Sequence, residues 1–161
     1  MNDKNKMGKI EIKPVSRVTN QHWKLLLLAD PSKSLVQKYL QLGNAFEICK
    51  FDIPVAIMVL QADSQFKLEV KNIAVDPKFE NQGLATKLLQ YAFCFAKKYH
   101  YQQLQIGTGS TSFKQLYLYQ KMGFRVTGIK KNFFVENYEQ PIYENGLLLQ
   151  DMLILTANLN N

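Results

Sequence analysis

The residues from Ile73 to Thr86 include those best suited to bind an anion. The apolar run Ile73-Ala74-Val75 is typical of a buried strand end, and Pro77 stops the strand because proline has a fixed φ and no backbone N–H group. Gly83 then precedes a segment whose apolar residues recur at helical spacing. Backbone N–H groups at a helix start lack internal partners and lie at the positive end of the helix dipole, so they can bind a phosphate. An ordinary turn between a strand and a helix is the alternative interpretation.

The cysteines and histidines show no pattern of a metal or nucleophile site. Cys49 and Cys94 lie in apolar segments without the spacing of metal ligands, so we expect buried free thiols in a reducing compartment. No group of His, Cys, Asp and Glu has the spacing that a metal site requires, and no metal is expected.

The composition is that of a globular protein. Hydrophobic residues make up 47% and charged residues 20% of the 161 residues, which predicts a folded domain with a core rather than disorder. The net charge of +7 would attract a nucleotide cofactor, but the lysines are scattered and do not indicate nucleic-acid binding. No apolar run could span a membrane, and the polar N-terminus shows no signal peptide. We therefore expect a cytoplasmic protein with no membrane or nucleic-acid partner.

The periodicity of the apolar residues predicts seven strands and four helices. Strands are expected at 9–15, 45–51, 54–61, 68–75, 104–106, 124–129 and 148–155, and helices at 20–29, 32–43, 84–98 and 111–122. Residues 107–110 are expected to form a loop, and 132–146 a long connection that is functional or packed on itself. Residues 1–8 are expected to be a flexible tail and 9–157 a single domain.

Two local patterns resemble the GNAT superfamily of acyl-CoA-dependent N-acyltransferases, and the resemblance covers roughly residues 9–155. The pyrophosphate loop of that family reads Arg/Gln-x-x-Gly-x-Gly/Ala, and residues 80–85 match its glycine and its small residue but begin with Glu80. The late helix of the family ends in Leu-Tyr-x-Lys-x-Gly-Phe, which residues 118–124 reproduce. Earlier in that helix, Ser112 and Gln115 replace the family's Asn and Ala.

The resemblance implies the fold of a bacterial GNAT enzyme. That fold is α/β, with a mixed, mostly antiparallel seven-stranded sheet flanked by about four helices. Its fourth and fifth strands form a parallel, splayed pair, since a strand–helix–strand unit at 68–106 implies a right-handed crossover.

The resemblance also implies which residues bind acetyl-CoA, the expected co-substrate. The pantetheine arm would pair with the strand end, and the pyrophosphate would lie on the N–H groups that begin the next helix. The expected cofactor-binding residues are Ile73, Ala74, Val75, Asn81, Gln82, Gly83, Leu84, Ala85, Thr86, Ser112 and Tyr119.

Two side chains are candidates for proton transfer under this resemblance. Tyr119 would protonate the leaving thiolate, although a tyrosine that only packs in the core is the alternative. Glu69 would remove a proton from the incoming amine, directly or through water, unless it only pairs with Lys71 on the surface. Asn72 could line the site instead, and His22 could reach the acceptor groove.

The predicted function is transfer of an acetyl group from acetyl-CoA to an amine of a small molecule or peptide by direct attack. A regulatory module that binds acyl-CoA without turnover is the alternative. A dinucleotide-dependent oxidoreductase is disfavoured, because the glycines at 107 and 109 are followed by Ser112 and no acid lies about twenty residues further on. The acceptor amine and the formation of a homodimer are left open.

Overall fold

The computed structural model describes residues 10–160, so the predicted tail at residues 1–8 lies outside the described part. The described α-helices are α1 (Asn20–Ala29), α2 (Lys33–Leu42), α3 (Leu84–Lys98), α4 (Phe113–Lys121) and α5 (Phe133–Asn137). The described strands are β1 (Ile12–Pro14), β2 (Asn44–Lys50), β3 (Ile53–Ala62), β4 (Lys67–Val75), β5 (Gln103–Gly109), β6 (Arg125–Lys130), β7 (Tyr143–Glu144), β8 (Leu147–Leu148) and β9 (Met152–Asn158). Within residues 10–160, no helix is long and apolar enough to cross a membrane.

Seven of these strands form one mixed sheet in the order β1-β2-β3-β4-β5-β9-β6. The strands β4 and β5 run parallel, and their register pairs Lys67–Val70 with Gln103–Ile106. The pairs β1–β2, β5–β9 and β6–β9 are antiparallel. The predicted mixed sheet with a parallel pair at its fourth and fifth strands is therefore confirmed. The part of the chain that is described contains five α-helices rather than about four, because α5 forms inside the predicted long connection.

The chain divides into two compact units. The first unit comprises residues 10–59 of the described chain and Asn72–Leu88. Its helices α1 and α2 begin after Thr19 and Ser32, within one residue of the predicted starts, and α2 ends before Gly43. The prediction of a single domain over 9–157 stays a prediction. One buried hydrophobic cluster of this unit contains Leu25, Leu26, Val36, Tyr39, Ile57, Val59 and Ala74.

The second unit comprises Leu60–Lys71 and residues 89–160 of the described chain. Its strand β5 continues through Gly109, because Gly107 pairs with Ile154 and Gly109 with Met152. The prediction of a loop that begins at residue 107 is therefore wrong. A side-chain carbon at Gly107 would come within 2.8 Å of the Met152 sulfur, so a larger residue there would require the flexible Met152 side chain to shift.

The predicted long connection at 132–146 is folded rather than irregular. It contains α5, and its last residues form β7 and the turn of a hairpin whose second strand is β8, so the final strand begins at Met152 and not at residue 148. Asn145 (φ 52°) and Gly146 (φ 74°) both adopt the left-handed conformation that a tight two-residue hairpin turn requires. Asn145 Nδ2 also donates to the Thr111 carbonyl at 2.8 Å, which holds the hairpin against the start of α4.

Candidate active site

The first unit contains the predicted anion-binding turn between β4 and α3. The Asp76 carboxylate accepts a hydrogen bond from the Lys78 N–H at 2.9 Å and begins a short 3₁₀ turn, Pro77–Phe79. Asn81 (φ 59°) and Gly83 (φ 78°) then adopt the left-handed conformation. The Lys87 N–H donates to the Gly83 carbonyl at 3.0 Å. Since that bond is the first of the helix, the N–H groups of residues 84–86 have no helical partner and are available to an anion.

A lysine from another strand reaches this turn. Lys50 at the end of β2 donates from Nζ to Gln82 Oε1 at 2.7 Å, and its ammonium lies 4.8 Å from the centre of the Phe79 ring. The first unit therefore brings a cation to the helix start. Sequence patterns gave no signal for Lys50, because 32 positions separate it from Gln82.

The strand end Ile73, Ala74 and Val75 also belongs to the first unit. Burial alternates regularly along β4, so Asn72 and Ala74 are buried whereas Ile73 and Val75 are half-buried. Asn72 Nδ2 donates to the Leu26 carbonyl at 3.0 Å and to the Tyr39 hydroxyl at 2.8 Å. The Asn72 side chain thus ties β4 to α1 and α2.

The second unit contains the two predicted proton-transfer residues. Tyr119 lies on α4 and is 5% exposed, with its ring packed 6.2 Å from that of Phe124. Burial raises the pKa of the Tyr119 phenol well above its usual value. Tyr117 on the same helix is 68% exposed, as expected for a residue on another face.

Glu69 forms the ion pair with Lys71 that was the alternative interpretation. The Lys71 Nζ lies 3.5 Å from Glu69 Oε1. The Glu69 side chain is nevertheless only 16% exposed, so the carboxylate is mostly withdrawn from water. The structure therefore leaves its role as a base a prediction.

Comparison with known proteins identifies the family. Residues 47–126 match the family model described as an acetyltransferase (GNAT) domain. The chain is 37% identical to the uncharacterized N-acetyltransferase YvbK of Bacillus subtilis (strain 168) over 153 residues, which cover 95% of this chain and 99% of that protein. The chain belongs to the GNAT acetyltransferase family. The predicted activity, that of an acetyl-CoA-dependent N-acetyltransferase, is confirmed by this membership.

Two solved structures of acetyltransferases are similar to this chain along nearly their whole length. A GNAT family acetyltransferase from Elizabethkingia anophelis, with acetyl-CoA bound, is 46% identical with a TM-score of 0.89, over 92% of this chain and 97% of that one. An IAA acetyltransferase from Bacillus cereus ATCC 14579 is 34% identical with a TM-score of 0.88, over 92% of this chain and 99% of that one. The GNAT fold predicted from the sequence is therefore confirmed.

Ser112, which replaces the usual Asn of the GNAT late helix, has a partner within the second unit. Ser112 precedes α4 and is buried, and its hydroxyl donates to the Glu144 carboxylate of the hairpin. The carboxylate thus lies at the positive end of the helix dipole, which favours it there. The neighbouring Thr111 hydroxyl is buried without a hydrogen-bond partner among residues 10–160. Whether Ser112 contacts the cofactor stays a prediction.

A buried His–Glu pair in the first unit was missed by the sequence analysis. His22 Nδ1 accepts from the Thr19 backbone N–H at 2.9 Å, and His22 Nε2 lies 2.7 Å from Glu47 Oε2. The acceptor role of Nδ1 places the ring proton on Nε2, which donates to the carboxylate. Both side chains are buried. His22 therefore caps α1 and satisfies Glu47, and both of its nitrogens are engaged.

The cysteines are free but less buried than predicted. Cys49 is half-buried and Cys94 is exposed, so the expectation of two buried thiols is wrong. The error arose because Cys94 lies in an apolar stretch of α3 but on its outer face. Burial, with the Glu47 carboxylate beside it, raises the pKa of the Cys49 thiol to about 11. Cys49 therefore stays protonated at neutral pH and is a poor nucleophile.

The turn itself offers a first prediction, at Gly83. A Cβ at this position would meet no atom within 4 Å, so the glycine is required by its φ of 78° and not by lack of space. The left-handed conformation costs other residues about 1–2 kcal/mol, so we expect Gly83→Ala to weaken acetyl-CoA binding about tenfold in a calorimetric titration. Gly146→Ala is the matched control, because its φ is 74° and its Cβ would also meet no atom within 4 Å. Equal affinities in the two variants would contradict a role for this turn in binding.

Proposed function

We propose that this GNAT enzyme transfers the acetyl group of acetyl-CoA directly to an amine of a small molecule or peptide. The observation that carries the proposal is the left-handed turn at Asn81–Gly83, which leads into α3 with its first N–H groups unpaired. The residues present fit a pyrophosphate, because the turn combines these donors, open space beside Gly83 and the Lys50 cation. Acetyl-CoA supplies the acetyl group as an activated thioester.

The first unit would bind the cofactor mainly through its backbone. The N–H groups from Asn81 through Thr86 would hold the pyrophosphate, as the sequence predicted. The backbone of Ile73 and Val75 would pair with the pantetheine arm in the manner of an added strand. Backbone donors fix the position of a ligand without long flexible side chains, so the reacting carbon is held in place.

The second unit would supply the two proton-transfer groups. Glu69 would take the proton of the incoming amine, and its side chain is only 16% exposed beside Lys71. Tyr119 would donate a hydrogen bond to the departing sulfur. A phenol with a raised pKa is a weak acid. Its proton passes fully to the sulfur only where burial disfavours the charged thiolate to the same extent.

The proposal is tested by titration of the protein with acetyl-CoA, with NAD as the control ligand. Saturable binding of acetyl-CoA alone, followed by release of free CoA thiol in a screen of amines, is the expected result. IAA, which the name of the Bacillus cereus relative contains, is tested beside these amines. Binding without release of thiol from any amine would favour the regulatory alternative, and no binding of acetyl-CoA would overturn the proposal.

Glu69→Gln tests the proposed base. We expect kcat/KM for the amine to fall about 100-fold at pH 7, which is the lower end of the range of effects when a general base is lost. The KM for acetyl-CoA should change little. Asp63→Asn is the matched control, because Asp63 forms a similar ion pair with Lys67 at 3.6 Å but is exposed. A loss of similar size in both variants, or no loss in Glu69→Gln, would remove Glu69 from the mechanism.

The proposal also includes a cellular location and an oligomeric state. A cytoplasmic location is consistent with the free thiols of Cys49 and Cys94, since disulfides are rare in that compartment. A homodimer is also consistent with the sequence, and the sedimentation behaviour of the purified protein would decide between monomer and dimer.

A further inference from the structure

We propose that Lys50 is an additional ligand for the diphosphate of acetyl-CoA. This inference rests on the proposed binding of the cofactor at the turn before α3. An ammonium group has three N–H donors, and Gln82 Oε1 takes one of them at 2.7 Å. Lys50 forms no ion pair with a carboxylate among residues 10–160, so no described carboxylate neutralises its charge. Two of its donors and its full charge are therefore available to phosphate oxygens.

The two contacts of Lys50 hold the ammonium at the turn before any ligand arrives. The ammonium lies 4.8 Å from the centre of the Phe79 ring, whose face attracts a cation. The hydrogen bond to Gln82 fixes the direction in which the Lys50 side chain extends. A long side chain that is already ordered loses less conformational entropy when it binds. A charged phosphate is also a stronger hydrogen-bond acceptor for an ammonium than the neutral amide of Gln82, so it would attract Lys50 in preference.

Lys50 also supplies a charge that this turn lacks. Glu80 occupies the position where the GNAT pattern has Arg or Gln, so this loop begins with a negative charge beside the expected diphosphate. Lys50 brings a positive charge to the same turn from β2. The family pattern places its polar residue within the loop, whereas this chain brings a cation to the loop from a different strand.

Lys50→Met in the full chain tests the inference. We expect the affinity for acetyl-CoA to fall about tenfold, as for loss of a hydrogen bond to a charged group. S-Acetylpantetheine lacks the phosphates, so kcat/KM for this donor should be unchanged. Lys50→Arg should restore most of the acetyl-CoA affinity, because arginine is also cationic. Lys38→Met is the matched control, since it removes an equal charge from an exposed position on α2.

The other outcomes separate this inference from the proposed function. Unchanged acetyl-CoA affinity in Lys50→Met, in a parent that binds acetyl-CoA, would overturn the role of Lys50 alone. A parent that binds no acetyl-CoA would overturn both. The diphosphate assignment requires the same tenfold loss with acetyl-dephospho-CoA, which lacks the 3′-phosphate. A loss that disappears with that ligand would assign Lys50 to the 3′-phosphate instead and overturn the diphosphate assignment.

Discussion

Tyr119→Phe is expected to lower kcat about 1,000-fold at pH 7, within the range for loss of a general acid. The proposed role of Tyr119 is to stabilise the departing sulfur, an interaction that exists mainly in the transition state, so the KM for acetyl-CoA should change little. The substitution keeps the ring, whose packing 6.2 Å from that of Phe124 is apolar, and so removes only the hydroxyl. Steady-state measurement of both parameters checks the prediction.

Tyr117→Phe provides the control for this experiment. Tyr117 lies two residues away on α4 but is 68% exposed, so loss of its hydroxyl should leave kcat unchanged. The loss of one weak hydrogen bond changes a rate by about threefold. A kcat for Tyr119→Phe within about threefold of the parent would therefore mean that Tyr119 only packs in the core.

The pH profile gives an independent check on Tyr119. An acid must be protonated to act, so deprotonation on rising pH would abolish its contribution. Burial raises the pKa of the phenol well above its usual value, which moves that loss to higher pH. We therefore expect no fall in kcat from this group between about pH 8 and pH 10, the range in which an ordinary tyrosine begins to ionise.

His22→Leu is expected to lower the free energy of unfolding by about 3–5 kcal/mol, because it leaves the Glu47 carboxylate buried without its partner. His22 is 4% exposed and Glu47 is 8% exposed, so little water can replace the lost hydrogen bond. The variant also removes the acceptor for the Thr19 N–H at the start of α1. Urea denaturation at pH 7, compared with the parent, measures the change.

Two further variants separate the contributions at this pair. His22→Gln should cost less than His22→Leu, because glutamine at this position can restore a capping box with Thr19. The double variant His22→Leu, Glu47→Leu should be more stable than His22→Leu alone, since it removes the unpaired carboxylate. If His22→Leu lowers the free energy of unfolding by less than about 1 kcal/mol, the His22–Glu47 pair stabilises the fold no more than a surface ion pair does. The proposed contribution of the pair to stability would then be wrong.

The sequence predicted those features that depend on neighbouring residues. The starts of α1, α2 and α3 follow from caps and from Gly83, which act over a single turn of chain. Glu69 and Tyr119 were implied by the resemblance to the GNAT family, and the turn before α3 by a local pattern, and their catalytic and binding roles stay predictions.

The features that the sequence analysis missed depend on residues far apart in the chain. His22 and Glu47 are 25 positions apart, and Lys50 and Gln82 are 32 positions apart. The glycines of β5 suggested a loop, because glycine is rare in strands, but pairing with β9 overrides that preference. A local sequence pattern does not include the distant residue or strand that forms each of these contacts.

The position of β9 has a consequence for synthesis on the ribosome. This strand lies between β5 and β6 in the sheet, although it follows both in the chain. Its register joins Gln103 to Asn158, so each edge that it covers stays open until residues near 158 have left the exit tunnel. Unpaired strand edges invite pairing with other chains. The nascent protein is thus exposed to aggregation until β9 has emerged, and a chaperone that shields the edges of β5 and β6 would protect it until then.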